Sequence, residues 1–292
     1  RVVKTFTLKW PLTYGILVLD VGNHVVNHAD GTQSTELYWI CTTKAFFNEV
    51  KNAFNVQDEE GISCAVDVTY RLSASNNNIG FLGTTTNIIH ENRMLSYSFV
   101  PFLWFFCATE AQVVYEAVYT SIKKWASIIH GIEFKAKYIQ QDHCAASAAA
   151  AETCFPLAVI ADCYPHLVRK CREHRNLLQD KEYLGGVLND IQRLHLAAST
   201  EIFSILSIAA IKRWEGDGEH EFAKWFKGVY LHKRWCNFSI ASLPVGVQPD
   251  NNSLESFNRV IKNWIGTNTS FPVLLKVCNL FYLLLIEMMI MY

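Results

Sequence analysis

The sequence predicts an α/β protein: a five-stranded mixed sheet flanked by helices, with an α-helical insertion before the last core helix. Three observations lead there. Residues 62–70 alternate strictly between apolar and polar positions, the mark of a strand. The apolar segments that follow run in the order strand, strand, strand, helix, strand, helix, strand. From Pro165 to Pro249 the periodicity is helical throughout. The chain divides on this reading into an N-terminal strand and helix segment (1–60), a first core part (61–168), the helical insertion (169–249), a core helix (250–266) and an apolar C-terminal helix (267–292).

Taken in order, residues 15–20 and 37–41 read as strands around a polar turn at Asp30-Gly31. Thr43 then caps a helix over 45–54 in which Phe46, Phe47, Val50 and Phe54 recur at helical spacing. In the strand at 62–70, Ile62, Cys64, Val66, Val68 and Tyr70 share one face, and Ser63, Ala65, Asp67 and Thr69 the other. Segments 79–89 and 95–107, separated by His90-Glu91-Asn92-Arg93, complete a three-stranded meander. A helix over 110–129 carries Val113, Val114, Ala117, Val118, Ile122 and Trp125 on one stripe. A short strand, 134–141, delivers Asp142 to its carboxyl end, a small-residue helix spans 145–151, and 157–161 is a fully apolar strand. Helices follow over 188–196, 202–214 and 222–230, and a last one over 253–264 buries Leu254, Phe257, Val260, Ile261 and Trp264.

With 292 residues and 50% hydrophobic content the chain can bury a sizeable core. A formal charge of -1, from 26 Lys+Arg against 27 Asp+Glu, excludes a globally basic nucleic-acid binder, so any DNA contact must come from local patches. Nine cysteines, irregularly spaced and often inside apolar runs, fit a reducing compartment. The chain begins at Arg1 with no leader pattern and reads as an internal piece of a longer protein. Residues 271–292 are apolar, but Lys276, Asn279 and Glu287 break them into runs too short to span a bilayer, so no membrane is expected.

Three acidic residues stand out. Aspartate is disfavoured inside strands and its burial is costly, so Asp67 at mid-strand implies either a metal or cation partner, or a face open to solvent. Asp142, between a strand end and a helix start, sits where ligand sites gather in α/β sheets and also where helix caps sit. Glu255 lies three residues after Asn252 and four before Arg259, a capping-box spacing with an ion-pair partner. Together the three suit phosphodiester chemistry, which calls for carboxylates from separate elements around two divalent ions.

The segment Asp67-Val68-Thr69-Tyr70-Arg71-Leu72 resembles the signature around the first catalytic aspartate of Mutator-like element (MULE) transposases. Asp142, Ala146, Ala150 and Phe155-Pro156 resemble the family's second-aspartate block, although His143 stands where a small or acidic residue is usual. Cys163-Tyr164-Pro165-His166 resembles its Cys-x-x-His motif, with Tyr164-Pro165 in place of the commoner aromatic pair. Residues 251–262, Asn-Asn-Ser-Leu-Glu-Ser-Phe-Asn-Arg-Val-Ile-Lys, resemble the block that carries the catalytic glutamate. The four blocks occur in the family's order over residues 37–264. The resemblance implies a ribonuclease H-like DDE transposase core in the nucleus, with Asp67, Asp142 and Glu255 holding two Mg²⁺ or Mn²⁺ ions. It implies double-stranded DNA, both transposon ends and target, as partner, a homo-oligomer, and strand cleavage followed by strand transfer. The rival reading is a domesticated, inactive relative that binds DNA as a transcriptional regulator; a plain metal-dependent nuclease is a third. The family's N-terminal DNA-binding domain and C-terminal zinc-binding segment are not in this sequence.

Cys163, His166, Cys171 and His174 form a Cys-x2-His-x4-Cys-x2-His string. On one helix His166 and His174 would lie two turns apart, which disfavours a single zinc ion and leaves packing or hydrogen bonding as the ordinary role. Cys163, His166, Arg169, Lys170 and Arg172, with Arg259 and Lys262 on the last helix, are the expected DNA contacts; Arg175 extends the same basic cluster. His232-Lys233-Arg234-Trp235 pairs charge with an aromatic ring, either for stacking on an unpaired base or as a solvated helix end with a buried Trp.

Overall fold

A computed structural model of the chain describes residues 15–28, 30–57, 61–70, 78–89, 94–243, 247 and 250–265. Its elements begin with β1 (Ile16–Asn27), β2 (Gln33–Thr43) and α1 (Lys44–Val56). The meander follows as β3 (Ile62–Thr69), β4 (Asn78–Ile89) and β5 (Leu95–Cys107), then α2 (Gln112–His130), β6 (Ala136–Gln141), α3 (Ala145–Cys154) and β7 (Val159–Asp162). Helix α4 (Tyr164–Glu173) leads from the core into the insertion, which holds α5 (Leu184–His195), α6 (Thr200–Gly216) and α7 (His220–Tyr230), and α8 (Asn252–Ile265) comes last.

The sheet is mixed and has seven strands, not five, in the order β1-β2-β5-β4-β3-β6-β7. The two extra strands are the N-terminal hairpin, which pairs through Tyr38–Cys41 of β2 with Trp104–Cys107 of β5. An apolar strand such as β5 would otherwise leave its outer edge unpaired, and the hairpin satisfies those backbone groups. The predicted meander is present as β5-β4-β3, and β6 and β7 continue it in parallel with β3. Close approach within the meander requires glycine at position 80, where a Cβ would sit 2.1 Å from the Phe105 ring.

Helices cover both faces. On one, α1, α2 and α3 bury Phe47, Val50, Val114, Val118, Ile122 and Ala148 over Cys64, Val66 and Ile139. Thr43 caps α1 as expected, accepting the Phe46 N–H at 3.2 Å. Gly131, with φ 68°, ends α2 in the left-handed conformation. On the other face α8 places Leu254, Phe257 and Ile261 over Ala65, Phe81 and Phe99, with the Phe257 ring 5.0 Å from Phe81 and 5.2 Å from Phe99.

The insertion has its own core of Leu167, Val187, Ile191, Trp214, Phe222, Phe226 and Tyr230. Inside it the Trp214 indole donates to Asp190 at 2.9 Å, Arg213 pairs with the same carboxylate, and Glu219 accepts the N–H groups of Gln179 and Asp180. Trp235 packs against both this core and the sheet's helical face, so one side chain joins the two layers.

Several expected contacts differ. Val113, Phe54 and Val260 are exposed because each lies just off its helix's buried stripe, with Ala53 in the place expected of Phe54, and Tyr70 is exposed because it follows the end of β3. Leu157 is also exposed, since β7 begins only at Val159 and runs on to Asp162. The apolar segment 271–292 and the turn at 90–93 lie outside the described residues. Among the described residues, no helix is long and apolar enough to cross a membrane.

Because α8 is held by one apolar face, Phe257→Ala should destabilise the chain by about 3–5 kcal/mol. Urea unfolding followed by far-UV circular dichroism measures this, and an unchanged midpoint would mean that α8 is not docked through that ring.

Candidate metal centre at the sheet's carboxyl edge

Three parallel strands end side by side. Val66 of β3 is level with Gln141 of β6, and Gln141 is level with Asp162 of β7. One residue further along, the register brings Asp67, Asp142 and Cys163 into a row, and alternation aims that row at the face covered by α8. The backbone link between Cys163 N–H and the Gln141 carbonyl, 3.1 Å, holds the last two in step.

Helix α8 delivers the third carboxylate in its first turn. Glu255 does not close a capping box: Asn252 bonds back to Asp250, and the Glu255 carboxylate turns to His166. Among the described residues no ion pair forms between Glu255 and Arg259, which is exposed. His166 stands between two carboxylates, its Nε2 3.0 Å from Asp142 Oδ2 and its Nδ1 3.5 Å from Glu255 Oε1. Asn258, one turn after Glu255, donates to Asp67 Oδ2 at 2.7 Å, and the Val68 N–H donates to Asp67 Oδ1 at 2.8 Å.

Asp67 does not lie on a freely solvated face: it is half-buried, and Asn258 of α8 reaches it. Burial first, then Asp142, with Glu110 and Glu255 adding to it, pushes its carboxyl well above the usual carboxylate range. Burial likewise raises Glu255, with Asp142 and Asp250 contributing, while His166 and Arg169 oppose. Buried polar atoms without a partner collect at this face: Oγ1 of Thr69, Oδ1 of Asp142, Nδ1 of His166, both amide atoms of Asn251, Oε1 of Glu255 and Oδ1 of Asn258. Such concentration is uncommon, since buried polar groups are ordinarily satisfied. The cluster has the composition of a site that gains its partners from a cation and its waters.

Asp142, Cys163, His166 and Glu255 each offer one ligand atom, all within 4.8 Å of one another. The linear Cys-x2-His-x4-Cys-x2-His string does not assemble. Cys171 is buried in the insertion core, and His174 stacks on Trp225 at 4.2 Å while its Nδ1 meets the Lys170 carbonyl. Helix geometry turns the second pair away from the first.

The basic cluster on α4 is partly neutralised, since Lys170 and Arg169 reach Glu173 at 2.7 and 3.7 Å and Arg175 reaches Glu182 at 3.2 Å. Arg169, Arg172, Arg259 and Lys262 are exposed on α4 and α8, the two helices that flank the carboxylates. Trp235 does not present a free ring: it stacks on His143 at 3.8 Å, and Arg234 pairs with Glu152. Burial, with Lys170 and His166 nearby, lowers His143 to about 4, so the ring beside Asp142 is neutral.

Sequence reasoning missed four residues. Asn258 carried a usable signal, its i+3 spacing from Glu255 on one helical face. Asn251, fully buried with its N–H on Cys163 Sγ, carried none. Glu110 accepts from Tyr115 and Cys144 at the start of α2 and approaches Asp67 only through the fold. Asp162 points to the opposite face, under the segment 236–237, where Asn237 bonds the β7 backbone. A groove of about 550 Å³ beside α1, β3, β4 and β6 is lined by Gln57, Ser63, Ala65, Thr84, Tyr138 and Gln140, and none of the site residues named above lines it. No protein-family model and no curated protein matches the chain.

Burial, then Asp142, raises Asp162 to about 8, while in the unfolded chain it ionises near pH 4. The folded state therefore holds the proton more tightly: its stabilising effect is complete below pH 4 and is lost as pH rises through about 8. Asp162→Asn should flatten that slope and leave the metal-free chain more stable than the parent at pH 8, by a few kcal/mol as an order of magnitude. Urea midpoints at pH 5 and pH 8 test this; parallel pH profiles for the two chains would refute it.

Proposed function

We propose that this chain is the catalytic core of a DDE transposase of the Mutator-like type, cutting a DNA strand and joining the freed 3′ hydroxyl to target DNA. The observation that carries the reading is that Asp142, at the end of β6, and Glu255, on α8, meet across His166, with Asp67 of β3 near enough to feel both charges, on one half-buried face with unsatisfied polar atoms around them. The motif blocks support it, because two of their acidic residues, Asp142 and Glu255, share His166, and the third, Asp67, lies on the same face. The five-stranded part β5-β4-β3-β6-β7, an antiparallel meander continued by two parallel strands, supports a ribonuclease H-like core to which the N-terminal hairpin is added.

The donor set fits Mg²⁺ or Mn²⁺, which take carboxylate oxygens and water. Two such ions, when bound, make a water or 3′ hydroxyl more nucleophilic and offset charge on the leaving oxygen. The chain's own residues arrange the rest. Asn258 and the Val68 N–H fix the Asp67 carboxylate by hydrogen bonds to its two oxygens. His166 keeps Asp142 and Glu255 from turning toward one another by standing between them. The neutral His143 ring, clamped on Trp235, anchors the turn after Asp142 to the insertion. Arg169, Arg172, Arg259 and Lys262 supply exposed charge for the DNA backbone, fixing its position and not its sequence. Double-stranded DNA as partner, a homo-oligomer and a nuclear location belong to the same proposal.

The test is to incubate the chain with Mg²⁺ or Mn²⁺, supercoiled plasmid and a short duplex with a free 3′ hydroxyl. Joined products should form and fall by about 100-fold or more in Asp142→Asn and Glu255→Gln. Cutting without joining, lost in both variants, would replace transposase by nuclease. A folded chain that binds DNA and is inert with either ion would favour the regulatory relative.

A further inference from the structure

Cys163 and His166 bring to the carboxylate face donors that Mg²⁺ does not select. The Cys163 thiol is buried, 1% exposed, and receives the Asn251 N–H at 3.5 Å. Its own proton reaches no acceptor among the described residues. His166 offers ring nitrogens 3.0 Å from Asp142 and 3.5 Å from Glu255, and its Nδ1, Asp142 Oδ1 and Glu255 Oε1 are buried without hydrogen bonds. The four ligand atoms all fall within 4.8 Å of one another. A tetrahedral ion with bonds of about 2.0–2.3 Å needs its ligand atoms roughly 3.3–3.8 Å apart, so small side-chain rotations close the site. The β6–β7 register places Asp142 and Cys163 each one residue past a strand end, and His166 follows Cys163 in the first turn of α4, so the positions of three donors are set by regular elements beside them.

We propose that Asp142, Cys163, His166 and Glu255 form a second metal site, one for a thiolate-seeking transition ion of the Zn²⁺ class. Because this site shares Asp142 and Glu255 with the oxygen-donor site, its occupant excludes Mg²⁺ and holds the chain inactive. Thiolate and imidazole select Zn²⁺ or Co²⁺ over Mg²⁺, whose preference is for oxygen. Binding is not a redox step: the ion takes the place of the Cys163 thiol proton, which leaves to solvent, and no bond between heavy atoms of the protein forms or breaks. The inhibitory half of the proposal rests on the transposase reading; the binding half does not.

Cobalt provides a readout apart from activity. Titrating the metal-free full chain with Co²⁺ should give one equivalent of intense visible bands of tetrahedral cobalt and a near-ultraviolet thiolate charge-transfer band, both displaced by Zn²⁺ and unmoved by excess Mg²⁺. Cys163→Ser should abolish the charge-transfer band, and His166→Asn should weaken cobalt binding by about 10-fold or more. Cys236→Ser and His174→Asn should change neither. If Cys163→Ser does not fold, Asp142→Asn and Glu255→Gln, which keep the thiol and alter partly exposed positions, should each lose the tetrahedral bands. Faint octahedral spectra without charge transfer, or a charge-transfer band that survives in Cys163→Ser, would overturn the site. A stoichiometric amount of Zn²⁺ should also lower Mg²⁺-dependent cleavage by at least 10-fold. A thiolate band in a chain that no metal makes cut or join DNA would retain the site and sink the transposase reading, whereas Mg²⁺-dependent joining without any thiolate band would do the reverse.

Discussion

The parallel register of β3, β6 and β7 is the constraint on which the rest of the site depends. Pairing Val66 with Gln141 and Gln141 with Asp162 places Asp67, Asp142 and Cys163 in one row just past the last positions that these three parallel strands pair with one another. A slip of one residue in either pairing would turn part of that row to the opposite face, because side chains alternate along a strand. The apolar residues between them enforce the register: Cys64, Val66 and Ile139 must face α1, α2 and α3, and that fixes where the carboxylates point.

The elements around the row exist to close it. Helix α8 is docked by Leu254, Phe257 and Ile261, and the polar residues between these, Glu255 and Asn258, are thereby aimed at His166 and Asp67. Amphipathicity at a period of 3.6 residues thus serves packing and site geometry with the same turn of helix. The helical insertion contributes differently. Its core is separate, yet Trp235 belongs to both cores, stacks on His143 and so ties the insertion to the residue beside Asp142.

The electrostatic consequence is a pocket that favours cations. Asp67 and Glu255 are each raised by burial and by neighbouring carboxylates, and His166 is set between Asp142 and Glu255. Like charges held this closely are stable only with protons or metal between them. Exposed arginines on α4 and α8 lie around the rim, and part of that charge is already spent on Glu173 and Glu182. With a net charge of only -1 the whole chain has no basic field of its own, so positive potential is confined to local patches such as this rim.

Strict alternation at 62–69, the meander and the stripe of α2 were legible in the residues, since local period and apolar burial are properties of neighbours in sequence. So were the placements of Asp67 within a strand, Asp142 just past a strand end and Glu255 in the first turn of a helix. The joining of the N-terminal hairpin to β5 was not, because an edge strand is paired by whatever reaches it and no local pattern records the partner. The role of Glu255 was read locally as a helix cap with Arg259 beside it, and tertiary packing overruled that by bringing His166 closer. Cys163 and His166 looked like half of a linear zinc string, whereas their partners came from β6 and α8, far away in the chain. Asn251, Glu110 and Asp162 gain meaning only from burial against other elements. The sequence by itself therefore determined which segments are strands and helices and which carboxylates are unusual. Only the tertiary structure decided which of those groups share one buried face, because strand register and helix docking are set by contacts between residues that the chain keeps far apart.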